Sequence, residues 1–143
     1  MQRTVRQIDV ETGEMLEAGV MVYMPQRPKI AEGWLMTFQD AFVKLAADRT
    51  IKGEQLRVLL FLMGRLDYEN WIHVPQSEIC DRLGMKPANV SRTIAALTAK
   101  GLLTKGPKLG RVVTLRLSFN VGWKGRVRTL QAEQKRHLSV VRR

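Results

Sequence analysis

The stretch SEICDRLGMKPANVSRTIAALTAKGLL, residues 77–103, carries two helical patterns separated by one glycine. Ile79 and Leu83 stand one turn apart on the first pattern, and Gly84 then permits a sharp change of direction. Pro87 suits the first turn of the second pattern, where its missing N–H is one that a helix leaves unpaired anyway. Val90, Ile94 and Leu97 recur at i, i+4 and i+7 and define a buried face. The opposite face carries Ala88, Arg92, Ala95 and Ala99, with Asn89 and Ser91 towards its flank. Gly101 is a natural stop because it accepts a positive φ.

Working outward, residues 71–74 (WIHV) read as a short strand ended by Pro75, followed by helices over 76–83 and 87–100. Strands are predicted over 102–104 and over the β-branched run 112–117. Between them lies a basic loop, 105–111, in which Gly106, Pro107 and Gly110 suit a hairpin tip. Strand, helix, tight turn, helix, strand, basic loop, strand is the plan of a winged helix-turn-helix. Upstream, Leu35, Phe38, Phe42 and Leu45 predict a helix over 34–48. Leu56, Leu59, Leu60, Met63 and Leu66 predict another over 53–67, with Thr50 as its N-cap. Both stripes read as packing faces. Residues 4–24 alternate weakly around Glu11-Thr12-Gly13-Glu14 and read as a β-hairpin, and residues 25–29 as a proline-bearing linker. After Asn120 comes a segment with Trp123 and a helical pattern over 127–138. The expected architecture is α+β, with an N-terminal hairpin and linker (1–30), a winged-helix domain (31–120) and a basic C-terminal tail (121–143).

Charge is distributed unevenly along the 143 residues. Residues 1–81 hold nine Lys/Arg against twelve Asp/Glu, a net −3. Residues 82–143 hold fifteen Lys/Arg against Glu133 alone, a net +14. A near-neutral half joined to a strongly basic one is the footprint of polyanion binding, since charges that serve solubility are usually of mixed sign. No apolar run is long enough to span a bilayer, and the first fifteen residues lack the apolar core of a secretory signal. Cys80 is the single cysteine, so neither an internal disulfide nor a cysteine-based zinc site is expected. These features point to a cytoplasmic protein without a membrane partner.

Double-stranded DNA is the partner that fits both charge and helix pattern. The alanines of the second helix permit close approach to a major groove, and Arg92 and Asn89 have side chains able to read purine edges. Helix-turn-helix proteins touch bases from the N-terminal part of this helix, here 86–92. Ser91 and Lys86 are phosphate candidates, aided by the helix N-terminus. Lys105, Lys108 and Arg111 on the wing would neutralise a neighbouring strand or enter the minor groove. Lys124, Arg126 and Arg128 begin a C-terminal run of seven Lys/Arg in 124–143. That run reads as a DNA-binding arm or as a helix docked on the body or on a second subunit.

The stretch 77–103 resembles the winged helix of MarR- and GntR-type regulators. With GWLMTFQDAFVKLA (33–46), EQLRVLLFLMGRLDYENWI (54–72) and FNVGWKGR (119–126), the chain is similar to RepL-type plasmid replication proteins over about 33–126. That resemblance implies a small initiator that binds origin repeats and leaves DNA synthesis to host replication proteins.

Three functions compete: a replication initiator at origin repeats, a transcriptional regulator at an operator, and an RNA-binding or nucleoid accessory protein acting through charge. An enzyme is not expected. His73 and His137 form no His-x-His metal motif, and no Gly-Lys-[Ser/Thr] phosphate loop occurs. No carboxylates are arranged for a two-metal nuclease, and no cofactor is implied. Cys80 reads as a small packed hydrophobe, His73 as a strand-edge residue, and Trp71 and Trp123 as packing anchors. An inverted-repeat target would call for a homodimer, and direct repeats for an array of monomers.

Overall fold

The computed structural model describes residues 33–110 and 112–141. The hairpin and linker expected within residues 1–30, together with Arg111, Arg142 and Arg143, lie outside the described residues. In chain order the elements are β1 (Met36–Thr37), α1 (Gln39–Ala47), α2 (Gly53–Met63), a 3₁₀ turn (Tyr68–Asn70), β2 (Trp71–Ile72), α3 (Gln76–Leu83), α4 (Pro87–Ala99), β3 (Leu103–Leu109), β4 (Val112–Leu117), β5 (Gly122–Trp123) and α5 (Val127–Val141). This is an α+β winged helix: α2, α3 and α4 pack on an antiparallel sheet of order β2-β4-β3, in which β3 and β4 form the wing.

One core unites these layers. Val58, Leu59 and Leu62 of α2, Ile79 of α3, Val90, Ile94 and Leu97 of α4 and Leu103, Leu115 and Leu117 of the wing are buried together. Each such side chain contributes about 1.5–3 kcal/mol when fully removed from water. Ion pairs and hydrogen bonds fasten the helices at their ends. Arg65 pairs with Glu78, and Arg57 Nη2 donates to the Leu83 carbonyl at 3.1 Å. The Lys100 ammonium, at the C-cap of α4, reaches Asp48 Oδ2 at 3.3 Å and so ties α4 to the turn between α1 and α2.

Five upstream expectations are corrected. The helix predicted over 34–48 begins only at Gln39, because Met36 and Thr37 pair with Trp123 and Gly122. Its packing face is also rotated: Ala41 is buried while Phe42 is 49% exposed. In α2 the core face is Val58, Leu59, Leu62 and Met63, so Leu56 and Leu60, 39% and 53% exposed, lie outside it. The N-cap of α2 is Lys52, whose N–H donates to Gln55 Oε1 at 3.1 Å; Thr50 instead closes a local turn on Asp48. The helix ends at Met63, although Leu66 beyond it is still buried.

Asn70 joins the parts that follow. It is fully buried in a left-handed conformation, φ 68°. Its Nδ2 donates to the carbonyls of Leu117 (3.1 Å) and Gly122 (2.8 Å), and its Oδ1 accepts from the Lys124 N–H at 2.9 Å. One side chain thus holds the end of β4 and the whole of β5. Trp123 is buried as a packing anchor, with Nε1 donating to the Arg126 carbonyl at 3.1 Å. The helical pattern after residue 126 is α5, which extends to Val141. Leu130 is its buried contact, and its Glu133 bonds Arg116 of β4 at 3.3 Å.

Candidate nucleic-acid interface

The turn between α3 and α4 sets the angle of α4. Gly84 takes φ 64° at the C-cap of α3, and the amides of Gly84 and Met85 both return to the Cys80 carbonyl. Met85 is 8% exposed and plugs into the core, while Lys86 is the N-cap of α4 and Pro87 its first helical residue. Val90, Thr93, Ile94 and Leu97 face inward. Ala88, Ser91, Arg92, Ala95 and Ala99 are exposed, as is Lys86, and Asn89 is half-buried at the edge of this face. Small side chains alternate here with long polar ones, a surface that a groove can accept closely.

Asn89 and Arg92 act as a pair. Arg92 Nη2 donates to Asn89 Oδ1 at 2.6 Å, and Nε donates to the Ala88 carbonyl at 3.3 Å. With one lone pair of its amide oxygen engaged by Arg92, Asn89 keeps both NH₂ donors free of side-chain partners, next to the remaining guanidinium donors of Arg92. A donor-rich pair of this kind matches the O6 and N7 acceptors of guanine, or phosphate oxygens. A cleft of about 190 Å³ beside it is lined by Lys52, Glu54 and Gln55 of the α2 N-terminal turn together with Asn89, Arg92 and Thr93. Lys52 was not among the sequence candidates. Its position beside Arg92 depends on the packing of α2 on α4, which no local pattern encodes.

The wing departs from expectation. The predicted loop 105–111 is largely strand: β3 runs to Leu109, and the tip is at Gly110, φ 62°. Lys105 and Lys108 therefore project from β3, both exposed. Gly106 and Pro107 form a β-bulge within the strand, where the pairing register with β4 shifts. A groove of about 470 Å³ between wing and helices is lined by Lys105, Val113 and Leu115 on one side and by Gln76, Ser77 and Ile94 on the other.

The C-terminal candidates part company with this surface. Lys124 is half-buried, and its Nζ donates to the Leu66 carbonyl at 2.6 Å, so its ammonium closes the fold. Arg126 and Arg128 are exposed at the start of α5. Glu133, the lone acidic residue of 82–143, accepts from Arg116 at 3.3 Å and from Arg136 at 3.4 Å. Arg116 pairs in register with Trp71 and Thr104, one step out of phase with buried Leu115 and Leu117. Glu133 therefore meets the sheet on the face away from α4. The structure brings Lys86, Ala88, Asn89, Ser91 and Arg92 together on one surface, with Lys105 across the groove. It joins α5 to the opposite face of the sheet.

Among the described residues no group of three His, Cys, Asp or Glu side chains is placed to hold a metal ion, and no helix is long and apolar enough to cross a membrane. Cys80 is half-buried beside the core, and His73 Nδ1 lies 2.8 Å from Asp67 Oδ2 at the exposed end of β2. Residues 50–110, from just before α2 to the tip of the wing, match the model of the MarR family. No curated protein and no solved structure matches the chain.

Proposed function

We propose that this protein is a winged-helix transcriptional regulator that binds an operator in double-stranded DNA. The observation that carries the reading is the exposed face of α4. Arg92 and Asn89 form a donor pair between small residues, within a span that matches the MarR family. In this reading Lys86–Arg92 enters a major groove, with Arg92 and Asn89 on base edges and Lys86 and Ser91 on phosphates. Lys105, Lys108 and Arg111 neutralise the adjacent backbone, and Arg126 and Arg128 add longer-range attraction. The protein acts by binding rather than by catalysis. An inverted-repeat operator with half-sites about one helical turn apart would engage two copies of the chain. Plasmid replication, which the resemblance to RepL-type proteins implies, uses the same surface. The MarR-family match favours regulation over it.

The test is selection of binding sites from a random duplex library at two salt concentrations. A defined motif that persists at the higher salt supports groove reading by α4, and its symmetry reports the number of copies bound. Binding that yields no motif and collapses with salt removes the regulator reading and leaves a charge-driven accessory protein.

A further inference from the structure

The bulge in β3 decides which way two wing lysines point. Residues paired across an antiparallel ladder share a face, and faces alternate along each strand. Lys105 pairs with Leu115 and Lys108 with Val113. Leu115 and Val113 are two apart on β4, so both they and their partners lie on one side of the sheet. It is the side turned to α4, since Leu115 is buried in the core with Ile94 and Leu97. On a regular strand two residues three apart would point to opposite faces. The extra residue at 106–107 cancels that odd spacing, so Lys105 and Lys108 face the same way. Leu109, paired with Val112, faces the other way.

The surroundings hold the bulge in place. Thr114, 1% exposed, donates its hydroxyl to the Pro107 carbonyl at 2.6 Å. Pro107 has no N–H to give to a regular ladder. A Cβ on Gly106 would lie 2.5 Å from Thr114 Oγ1 and 2.6 Å from the Trp71 ring, so only glycine fits as the strand passes over that ring. The Trp71 ring in turn carries the Arg116 guanidinium 5.2 Å from its centroid.

We propose that this bulge is a positioning element of the DNA interface, holding the ammonium groups of Lys105 and Lys108 together on the α4 side of the wing. There both meet the phosphate backbone beside the groove that α4 enters. The inference rests on the reading of α4 and the wing as a DNA-binding surface. It assigns the wing a directed contact in place of a diffuse positive charge.

The experiment measures affinity of the full chain for a short mixed-sequence duplex across a salt series, where each phosphate contact steepens the log–log slope by about 0.9 and is worth about fivefold at 0.15 M salt. Three proteins are compared: the parent, Lys108→Ala, and the exchange Lys108→Leu with Leu109→Lys. Lys108→Ala is expected to flatten the slope by about 0.9. The exchange keeps composition and net charge yet moves the ammonium to the far face, so it is expected to flatten the slope equally. An exchange variant with the parental slope overturns the proposal. Both exchanged positions are exposed, so the exchange leaves the core untouched. A parent with no salt-dependent affinity would remove the DNA reading itself, a different outcome from either.

Discussion

Replacing Asn70 with alanine is expected to cost about 4 kcal/mol of stability, a large share of the 5–15 kcal/mol typical of a domain. The side chain is fully buried and its three hydrogen bonds all go to backbone groups: the carbonyls of Leu117 and Gly122 and the amide of Lys124. Alanine strands all three. An unpaired buried polar group costs about 1–3 kcal/mol, and entry of water into the vacated space would offset part of the sum. Asn70 also sits at φ 68°, where alanine costs roughly 1 kcal/mol more than asparagine. Two further variants separate these contributions. Asn70→Gly relieves the backbone and should recover about 1 kcal/mol relative to Asn70→Ala. Asn70→Asp keeps the acceptor for Lys124 but turns a carboxylate oxygen towards two carbonyls, which raises the folded-state pKa of the new group. The folded state then holds its proton more tightly than the unfolded chain. The penalty is thus full at neutral pH and shrinks as pH falls through the raised value towards the ordinary aspartate range. Urea unfolding followed by the fluorescence of buried Trp123 reads all three variants. An Asn70→Ala protein within about 1 kcal/mol of the parent would refute the reasoning, because even one stranded group accounts for that much.

Three other expectations follow from the geometry. Arg92→Ala should leave the melting temperature unchanged, since Arg92 is exposed, but cost about 1–3 kcal/mol at one base position and relax preference there; competition with single-base variants of the selected site checks this. Lys124→Met should do the reverse, lowering stability by about 1 kcal/mol through loss of the bond to the Leu66 carbonyl while leaving the salt slope of DNA binding unchanged. Asp48 has its pKa held below the ordinary 3.8 by the Thr50 hydroxyl and amide and, to a lesser extent, by Lys100. Its stabilising effect is therefore complete above that value and is lost as pH falls through the lowered one. The difference in denaturation midpoint between parent and Asp48→Asn should be constant near neutrality and vanish in acid.

The helix-turn-helix was legible in sequence because its signals are local. Gly84, Pro87 and Gly101 punctuate it, and Val90, Ile94 and Leu97 repeat at helical spacing, so α3 matches its predicted bounds and α4 falls one residue short of them. The readings that failed depended on distant partners. Leu35, Phe38, Phe42 and Leu45 mimic one continuous stripe, yet Met36 and Thr37 are committed to Trp123 and Gly122 at the far end of the domain. Leu56 and Leu60 fit a helical stripe as well as Leu62 does, and only the position of the sheet and of α4 selects the face that is covered. Gly106 and Pro107 look like loop residues. They lie within a strand because Trp71 and Thr114 occupy the space beside them, and neither is near in sequence. The site divides in the same way. The exposed residues of α4 followed from periodicity, whereas the structural task of Lys124 and the place of Lys52 required the packed chain.

The pairing of β1 with β5 gives the winged helix a neck. Met36–Thr37 and Gly122–Trp123 run side by side, one before the helices and the other after the wing, and a Cβ on Gly122 would come within 2.9 Å of the Met36 carbonyl oxygen. Everything from α1 to the end of the wing is therefore a closed loop drawn shut at one point. A pull applied between residue 36 and residue 123 meets this two-residue clasp before it reaches α4 or the wing. The clasp would open residue by residue, like a zip, under loads that leave the core of α2, α3 and α4 intact. Stretching the protein between its two flanks should accordingly release a short length first and unravel the domain only afterwards.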